Sequence, residues 1–322
     1  MEECERYLDK TGNLEQKKTL VSIVVITYNS SRYVLETLES AKAQTYQNIE
    51  LIVSDDCSTD DTIDICRNWI EENKNRFVRT ELITTIVNTG ISANCNRGVR
   101  STKGEWVKLI AGDDLLTPDC VYNNIFFVES NNNIEAVFSK LKPFKGSVHS
   151  IMQNPATKDE KYSFLYSLSA KEQNKCLVNI GCFVSAPTSF LKRELFDRFG
   201  YFDERYPFME DLPLWINLTK NEIKLHYFPF YTVFYRQGDT ISSSKVSAVN
   251  MLFYKSLIGF RSQQKFSFYG KIVFSVEKLY YYVALNIFNN RKNIGTLLVR
   301  KLLGLFIRFG YLYYYCIVRM KK

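Results

Sequence analysis

One pattern repeats four times between residues 20 and 118: a short apolar run, a polar cluster, then apolar residues at helical spacing. Residues 21–26 (Val-Ser-Ile-Val-Val-Ile) form a β-branched run of the kind a buried strand uses, and residues 33–43 follow with a helical period. Residues 49–53 (Ile-Glu-Leu-Ile-Val) predict a second strand. Ser58, Thr59, Asp60 and Asp61 then offer capping side chains for a helix over 63–70. Residues 82–87 predict a third strand and 93–100 a helix. Residues 106–110 (Trp-Val-Lys-Leu-Ile) predict a fourth strand, with Pro118 placed to start another helix. Strand alternating with helix at this spacing predicts an α/β fold with a mostly parallel sheet and helices on its faces. In such sheets ligands bind beyond the carboxyl ends of the strands. All four polar clusters fall there, so they are expected to converge on one edge.

The clusters are rich in carboxylates. Asp55 and Asp56 end the second run, where a carboxylate can accept from a base imide or a ribose hydroxyl, or cap the following turn. Gly112-Asp113-Asp114 ends the fourth. Two adjacent carboxylates suit a hard divalent cation such as Mn2+ or Mg2+, which neutralises a departing diphosphate; a capped turn is the alternative. Glu210 and Asp211 lie in an apolar segment with no Lys or Arg between Tyr206 and Thr219. A carboxylate so placed can act as general base or cap a helix starting near Leu212, with Pro213 in its first turn. Arg236, with Gly238 and Ser242 to Ser244 after it, suits a phosphate, though a solvated loop has the same composition.

Composition removes other chemistries. Eight cysteines include no Cys-x-x-Cys pair, and the two histidines, His149 and His226, are far apart, which excludes a zinc site or His-based triad. The cysteines read as reduced thiols, and the acidic start (Met1, Glu2, Glu3) lacks a signal peptide's basic and apolar regions, so a cytoplasmic location is expected. The net charge of +8 is uneven. Residues 245–322 hold 14 Lys and Arg against Glu277 alone, while residues 1–244 are net acidic. Arg300, Lys301 and Arg308 share one helical face and Leu298, Leu302, Leu305 and Phe309 the opposite one. That is the pattern of an amphipathic helix on an anionic membrane surface, although a helical subdomain on the main body would look alike. Neither charge-free run in the tail, 279–290 or 309–318, reaches the ~20 residues of a membrane span. No nucleic-acid motif accompanies the charge. The expected divisions are a polar leader (1–19), a nucleotide-sugar half (20–125), an acceptor and base half (126–245) and a basic aromatic tail (246–322).

The ordered series Thr27-Tyr28-Asn29, Asp55-Asp56-Cys57-Ser58, Asn88-Thr89-Gly90, Asn96-Arg97-Gly98, Gly112-Asp113-Asp114 and Glu210-Asp211-Leu-Pro-Leu-Trp resembles the family 2 glycosyltransferases, which share the GT-A fold. The resemblance implies an inverting, metal-dependent transfer from a nucleotide-sugar, with uridine diphosphate the default carrier. It implies that Thr27, Tyr28, Asn29, Asp56, Asn88, Gly90, Asn96, Asp113 and Arg236 hold the nucleotide-sugar. Asp114 would bind the metal and Asp211 act as base, with Glu210 the second choice. Cys57 stands where the family usually has glycine, and Cys95 where it usually has arginine. The Gln-x-x-Arg-Trp motif of processive synthases is missing, which implies single addition. The series looks most like enzymes building capsule or O-antigen units on a lipid diphosphate. Transfer to a polyprenyl monophosphate, a catalytically silent nucleotide-sugar-binding subunit and a membrane scaffold are the alternatives.

Overall fold

The computed structural model describes residues 19–146, 162–237 and 247–320; the leader, and Gly238 to Ser244 of the loop after Arg236, lie outside them. Strand β1 (Val21–Thr27) is flanked in parallel by β2 (Ile49–Asp55) and β4 (Trp106–Ala111), and β3 (Arg79–Ile83) pairs with β2. Helices α1 (Val34–Lys42), α2 (Thr62–Asn73) and α3 (Ile91–Ser101) make the connections. The chain continues through β5 (Leu115–Leu116), α4 (Cys120–Glu129), β6 (Ala136–Phe144), α5 (Ala170–Asn179), β7 (Phe190–Lys192), α6 (Glu194–Phe199), α7 (Asp211–Lys220) and β8 (Leu225–Arg236). Among the described residues these make one sheet of order β3-β2-β1-β4-β7-β6-β8-β5. The parallel expectation holds for the β3-β2-β1-β4 half. Beyond it β7 runs antiparallel to both β4 and β6, and β5 antiparallel to β8.

Alternate side chains of the central strands face opposite layers, as the period of a strand requires. Val24 and Ile52 join α3, α5 and α7 in one core, while Ile23, Val25, Leu51 and Val53 join α1, α2 and α4 in the other. With both faces covered, each fully buried Val, Ile or Leu contributes roughly 1.5–3 kcal/mol, and the runs read as continuous rather than alternating. The third strand starts earlier than its apolar run suggests. Ile86 and Val87 are exposed, and the strand begins at Arg79, whose guanidinium pairs with the fully buried Glu50 on β2 at 2.9 Å. Burial opposes ionisation of Glu50, but donors from Ser22, Lys103, Arg79 and Gly104 outweigh it and hold the carboxyl below its ordinary range.

Three helices follow the sheet: α8 (Met251–Ser262), α9 (Phe268–Tyr282) and α10 (Ile294–Met320). Leu257, Phe260, Tyr280, Tyr281, Tyr311 and Tyr314 enter the core shared with α5 and α7. The tail therefore packs on the body, and it still leaves an apolar face open. Helix α10 has three faces instead of the two expected. Thr296, Gly310, Tyr311 and Tyr314 are buried, while Leu298, Leu302, Leu305 and Phe309 are exposed, with Arg300, Lys301 and Arg308 on the remaining side. The chain passes through its basic residues without a break, giving one helix of 27 residues with mean hydropathy 1.2, long and apolar enough to cross a membrane. Reading the charge-free runs separately missed that length.

Candidate active site

The first two strand ends are tied together. Thr27 Oγ1 donates to Asp55 Oδ2 at 2.7 Å, and Ser58 donates to the same carboxylate through its amide and hydroxyl. Asp55 thus caps the turn after β2. Cys57 in that turn adopts φ 66°, the left-handed conformation that glycine takes without a Cβ penalty, which fits the glycine that the family resemblance implies there. Asn29, also left-handed, accepts from the Thr59 amide at 2.8 Å, so its side chain joins the two turns. Tyr28 is partly exposed at the edge.

Asp56 is nearly inaccessible and accepts from Thr89 N (3.0 Å), Thr89 Oγ1 (2.7 Å), Gly90 N (2.8 Å) and Arg97 Nη2 (2.6 Å). Burial would push its carboxyl up, but these donors outweigh burial and hold it below the ordinary range. Asp56 therefore folds the segment bearing the exposed Asn88 back over the strand edge. Gly90 is required in this segment: its φ is +89°, and a Cβ would stand 2.6 Å from Pro207 Cβ. Arg97 and Asn94, which links Ser54 (2.6 Å) to the Thr27 carbonyl (3.1 Å), were not singled out in the sequence. The Asp56 side chain is their only clue, as a buried carboxylate requires donors. Asn96 goes elsewhere, exchanging hydrogen bonds with the Phe202 backbone and donating to Glu204 at 2.7 Å.

The fourth strand end holds the second pair. Asp114 is buried, and its Oδ1 accepts from the Arg236 amide at 2.8 Å. Asp113 is more open and uses its backbone carbonyl, not its carboxylate, to receive Arg236 Nε at 2.8 Å. Arg236 is itself consumed: Nη1 donates to Gly146 O, Nη2 pairs with Glu36 at 2.8 Å, and the guanidinium lies between the rings of Tyr33 and Phe144. It clamps the acidic turn, with its Nε, Nη1 and Nη2 each engaged inside the fold. Burial raises the Asp113 carboxyl. Burial and then the charge of Asp113 raise Asp114 well above its ordinary range. Lys108, fully buried on β4, donates to the carbonyls of Pro187 (2.5 Å) and Ser189 (3.2 Å) and partly offsets the acidic charge. Its place inside an apolar strand hid it from sequence reasoning.

The third pair opens α7. Glu210 precedes Asp211, and Pro213 sits in the first turn as expected. Asp211 Oδ1 accepts from Leu212 N at 2.6 Å, while Cys182 Sγ lies 3.6 Å from Oδ2. Burial and the neighbouring Asp211 push Glu210 up to about 7, and burial raises Asp211 as well. Glu210 thus takes a proton near neutrality and Asp211 is shifted in the same direction, toward the basicity a general base needs. Tyr235 on β8 ties the pairs to one cleft, since its phenol is raised by burial and then by Asp114, Asp113 and Glu210. A cavity of about 440 Å³ on the flank of α7, lined by Asp203, Arg205, Asn217 and Lys220, touches none of these carboxylates.

Among the described residues no cluster of three or more acidic, His or Cys side chains forms a metal cage. Mn2+ or Mg2+ does not need one. A Mg2+-type site commonly takes one or two carboxylates plus substrate phosphates. Asp113, the more open of the two and with a like charge beside it, fits such a site, and Asp114 backs it.

A model of glycosyl transferase family 2 matches residues 22–200. The chain belongs to this family. Curated relatives include the E. coli UDP-Glc:alpha-D-GlcNAc-diphosphoundecaprenol beta-1,3-glucosyltransferase WfaP, 31% identical over 229 residues that make up 70% of this chain and 81% of WfaP. An uncharacterized glycosyltransferase of Rickettsia typhi is 28% identical over 62% of this chain and 59% of its own. S. aureus TarS in complex with UDP-GlcNAc superposes with a TM-score of 0.56 at 22% identity, over 86% of this chain and 77% of that one. The mannosyltransferase PcManGT from Pyrobaculum calidifontis, in complex with GDP-Man and Mn2+, gives 0.51 at 16% identity, over 96% and 77%. These likenesses establish the GT-A fold, and this glycosyltransferase carries its carboxylate pairs along one edge of it.

Proposed function

We propose that the enzyme transfers a hexose from a UDP-sugar, with inversion, to a hydroxyl of a lipid-diphosphate-linked glycan during surface polysaccharide synthesis. The observation that carries this reading is that Asp55 and Asp56 after β2 and Asp113 and Asp114 after β4 end neighbouring parallel strands on one sheet edge, with both Asp113 and Glu210 within electrostatic reach of Tyr235. The activity for which WfaP is named supports the choice of donor and lipid-linked acceptor. Thr27, Tyr28, Asn29, Asn88 and Gly90 line the nucleoside end, and Asp56 shapes it by holding the Thr89–Gly90 backbone.

In this reading Asp113 holds a divalent metal with Asp114 behind it, and the metal when bound neutralises charge on the leaving diphosphate. Asp211 accepts the proton of the acceptor hydroxyl as its oxygen attacks the anomeric carbon opposite the leaving group. Glu210 beside it keeps the pair basic through like-charge repulsion. One base and no second nucleophile produce a single displacement, hence inversion.

The membrane enters through α10. Gly310, Tyr311 and Tyr314 fasten one face to the body, so the helix lies along the enzyme and its outer apolar face meets the lipid headgroups from the cytoplasmic side. Each flanking Lys or Arg adds ~1 kcal/mol on an anionic leaflet.

The test is nucleoside diphosphate release from a panel of UDP-, GDP- and dTDP-sugars with Mn2+, with and without chelator, comparing the wild type with Asp113→Asn. Release from one UDP-sugar, lost with chelator and in the variant, supports the reading; indifference to both overturns the metal and donor assignment.

A further inference from the structure

Four consecutive residues, beginning with Asn179 at the end of α5, each meet a C-terminal helix. Asn179 Oδ1 accepts from the amide and hydroxyl of Ser267 at the start of α9, both at 2.8 Å, and a Cβ on Gly270 would overlap the same oxygen. Ile180 fills the space of the missing side chain at Gly310 on α10, where a Cβ would stand 2.2 Å from Ile180 Cδ1. Gly181, with φ +131°, has Arg261 of α8 as the one neighbour within 4 Å of its Cβ position. The Cys182 carbonyl accepts from Tyr311 Oη of α10 at 3.4 Å. On the other side of this segment, the Cys182 thiol points at Asp211 Oδ2 and at the Val184 carbonyl, 3.6 and 3.3 Å away.

Residues 179–182 therefore bridge the tail and the base, from the buried Asn179 and Ile180 to Cys182, whose side chain is exposed beside Asp211. The tail does not touch this segment by chance of surface packing. Glycine is needed at 310 for the helix to come this close, and the buried Tyr311 directs its one polar atom at the segment. Among the described residues the donors to the Asp211 carboxylate are backbone amides of its own helix, Leu212 N among them, and the Cys182 thiol, so the thiol is the group from outside α7 that orients the carboxylate. We propose that Cys182 is a positioning residue for Asp211 and that α10, through Gly310 and Tyr311, holds it in place, so that the seat of the tail helix sets the orientation of the base. This rests on Asp211 acting as the base.

The consequence is a route from the membrane-facing helix to the chemistry. Any shift of α10 against the body moves Cys182, and a displacement of about 1 Å at a reacting group can cost up to ~100-fold in rate. The reach of a lipid-linked acceptor and the orientation of its base are then set by the same helix.

Two measurements on the full chain test this. The first needs no acceptor: hydrogen exchange over residues 179–184 and 210–214 in the wild type, Tyr311→Phe, Gly310→Leu and the outer-face control Leu305→Gln. Faster exchange in both segments for the two inner-face variants, with the control unchanged, is expected. Exchange that rises over 179–184 alone overturns the coupling. The second uses UDP-glucose and a GlcNAc-diphosphate lipid. Cys182→Ala should lower kcat roughly 10-fold with an unchanged donor KM, Cys182→Ser should recover most of it, and Gly310→Leu should add little in the Cys182→Ala background. Fully multiplicative losses, or no rescue by serine, overturn it. An Asp211→Asn variant that keeps full kcat would instead sink the base assignment, whatever the exchange data show.

Discussion

Arg97 reaches Asp56 at 2.6 Å, so the guanidinium and the carboxylate at the nucleoside end of the cleft form one unit spanning 41 positions of sequence. Asp56 is buried, and removing its cation would leave a charged group short of a donor, a change that typically costs more than a surface pair is worth. Arg97 also donates to Thr89 Oγ1 at 2.6 Å, which fixes the loop from both sides. Arg97→Ala is expected to raise the donor KM about 10-fold and to lower the melting temperature by several degrees. Arg97→Lys should recover little, because a single ammonium cannot reach Asp56 and Thr89 together. Steady-state kinetics with UDP-sugar and a thermal melt check both.

The two acids of the metal turn should separate by variant. Asp114 accepts from the Arg236 amide, whereas Arg236 reaches Asp113 through its backbone carbonyl and not its carboxylate. Asp113→Asn is expected to abolish Mn2+ binding, read by titration calorimetry with UDP present, and to leave the melting temperature within about 2 °C. Asp114→Ala should lose binding and also unfold several degrees earlier, since it leaves the buried amide of Arg236 unsatisfied.

Glu210 provides a signed pH prediction. Its folded-state carboxyl lies near 7, above the ordinary value, so the folded protein binds the proton more tightly than the unfolded chain. Stability attributable to this group is therefore full below about pH 4.5 and is lost as pH rises through 7. Glu210→Gln should raise the melting temperature at pH 8 by a few degrees and change it little at pH 4.5. The opposite trend would mean that Glu210 is ionised at no cost in the fold. Activity should run the other way, falling as the pH drops below about 7 because the base pair takes up protons.

The outer face of α10 predicts vesicle binding. Leu302→Glu with Phe309→Glu, both on exposed positions, should abolish co-sedimentation with vesicles containing anionic phospholipid and leave the fold intact. Wild-type binding should weaken as salt rises, since Arg300, Lys301 and Arg308 contribute by charge.

The sheet was legible because buried strands write continuous β-branched runs, and residues 21–27, 49–55 and 106–111 carry them in full. Its reversal at β7 was not, for three residues leave no period to read. The carboxylates were legible as strand-end pairs. Their supports were not: Lys108 is disguised within an apolar run, Arg97 sits on a helix like any surface arginine, and Cys182 lies 29 residues from the Asp211 it faces. Arg236 shows the reverse case. Its loop composition suits a phosphate, yet the fold turns all three of its guanidinium nitrogens to hold Asp113, Gly146 and Glu36.

The most direct test of the whole account is the anomeric configuration of the product. Purified enzyme, UDP-glucose, Mn2+ and a synthetic lipid-diphosphate-linked GlcNAc are incubated, and the new glycosidic linkage is read by proton NMR. The account predicts a β-linkage formed from the α-configured donor, at a rate that falls by at least ~1,000-fold in Asp211→Asn. An α-linked product, or an Asp211→Asn variant as fast as the wild type, would contradict it.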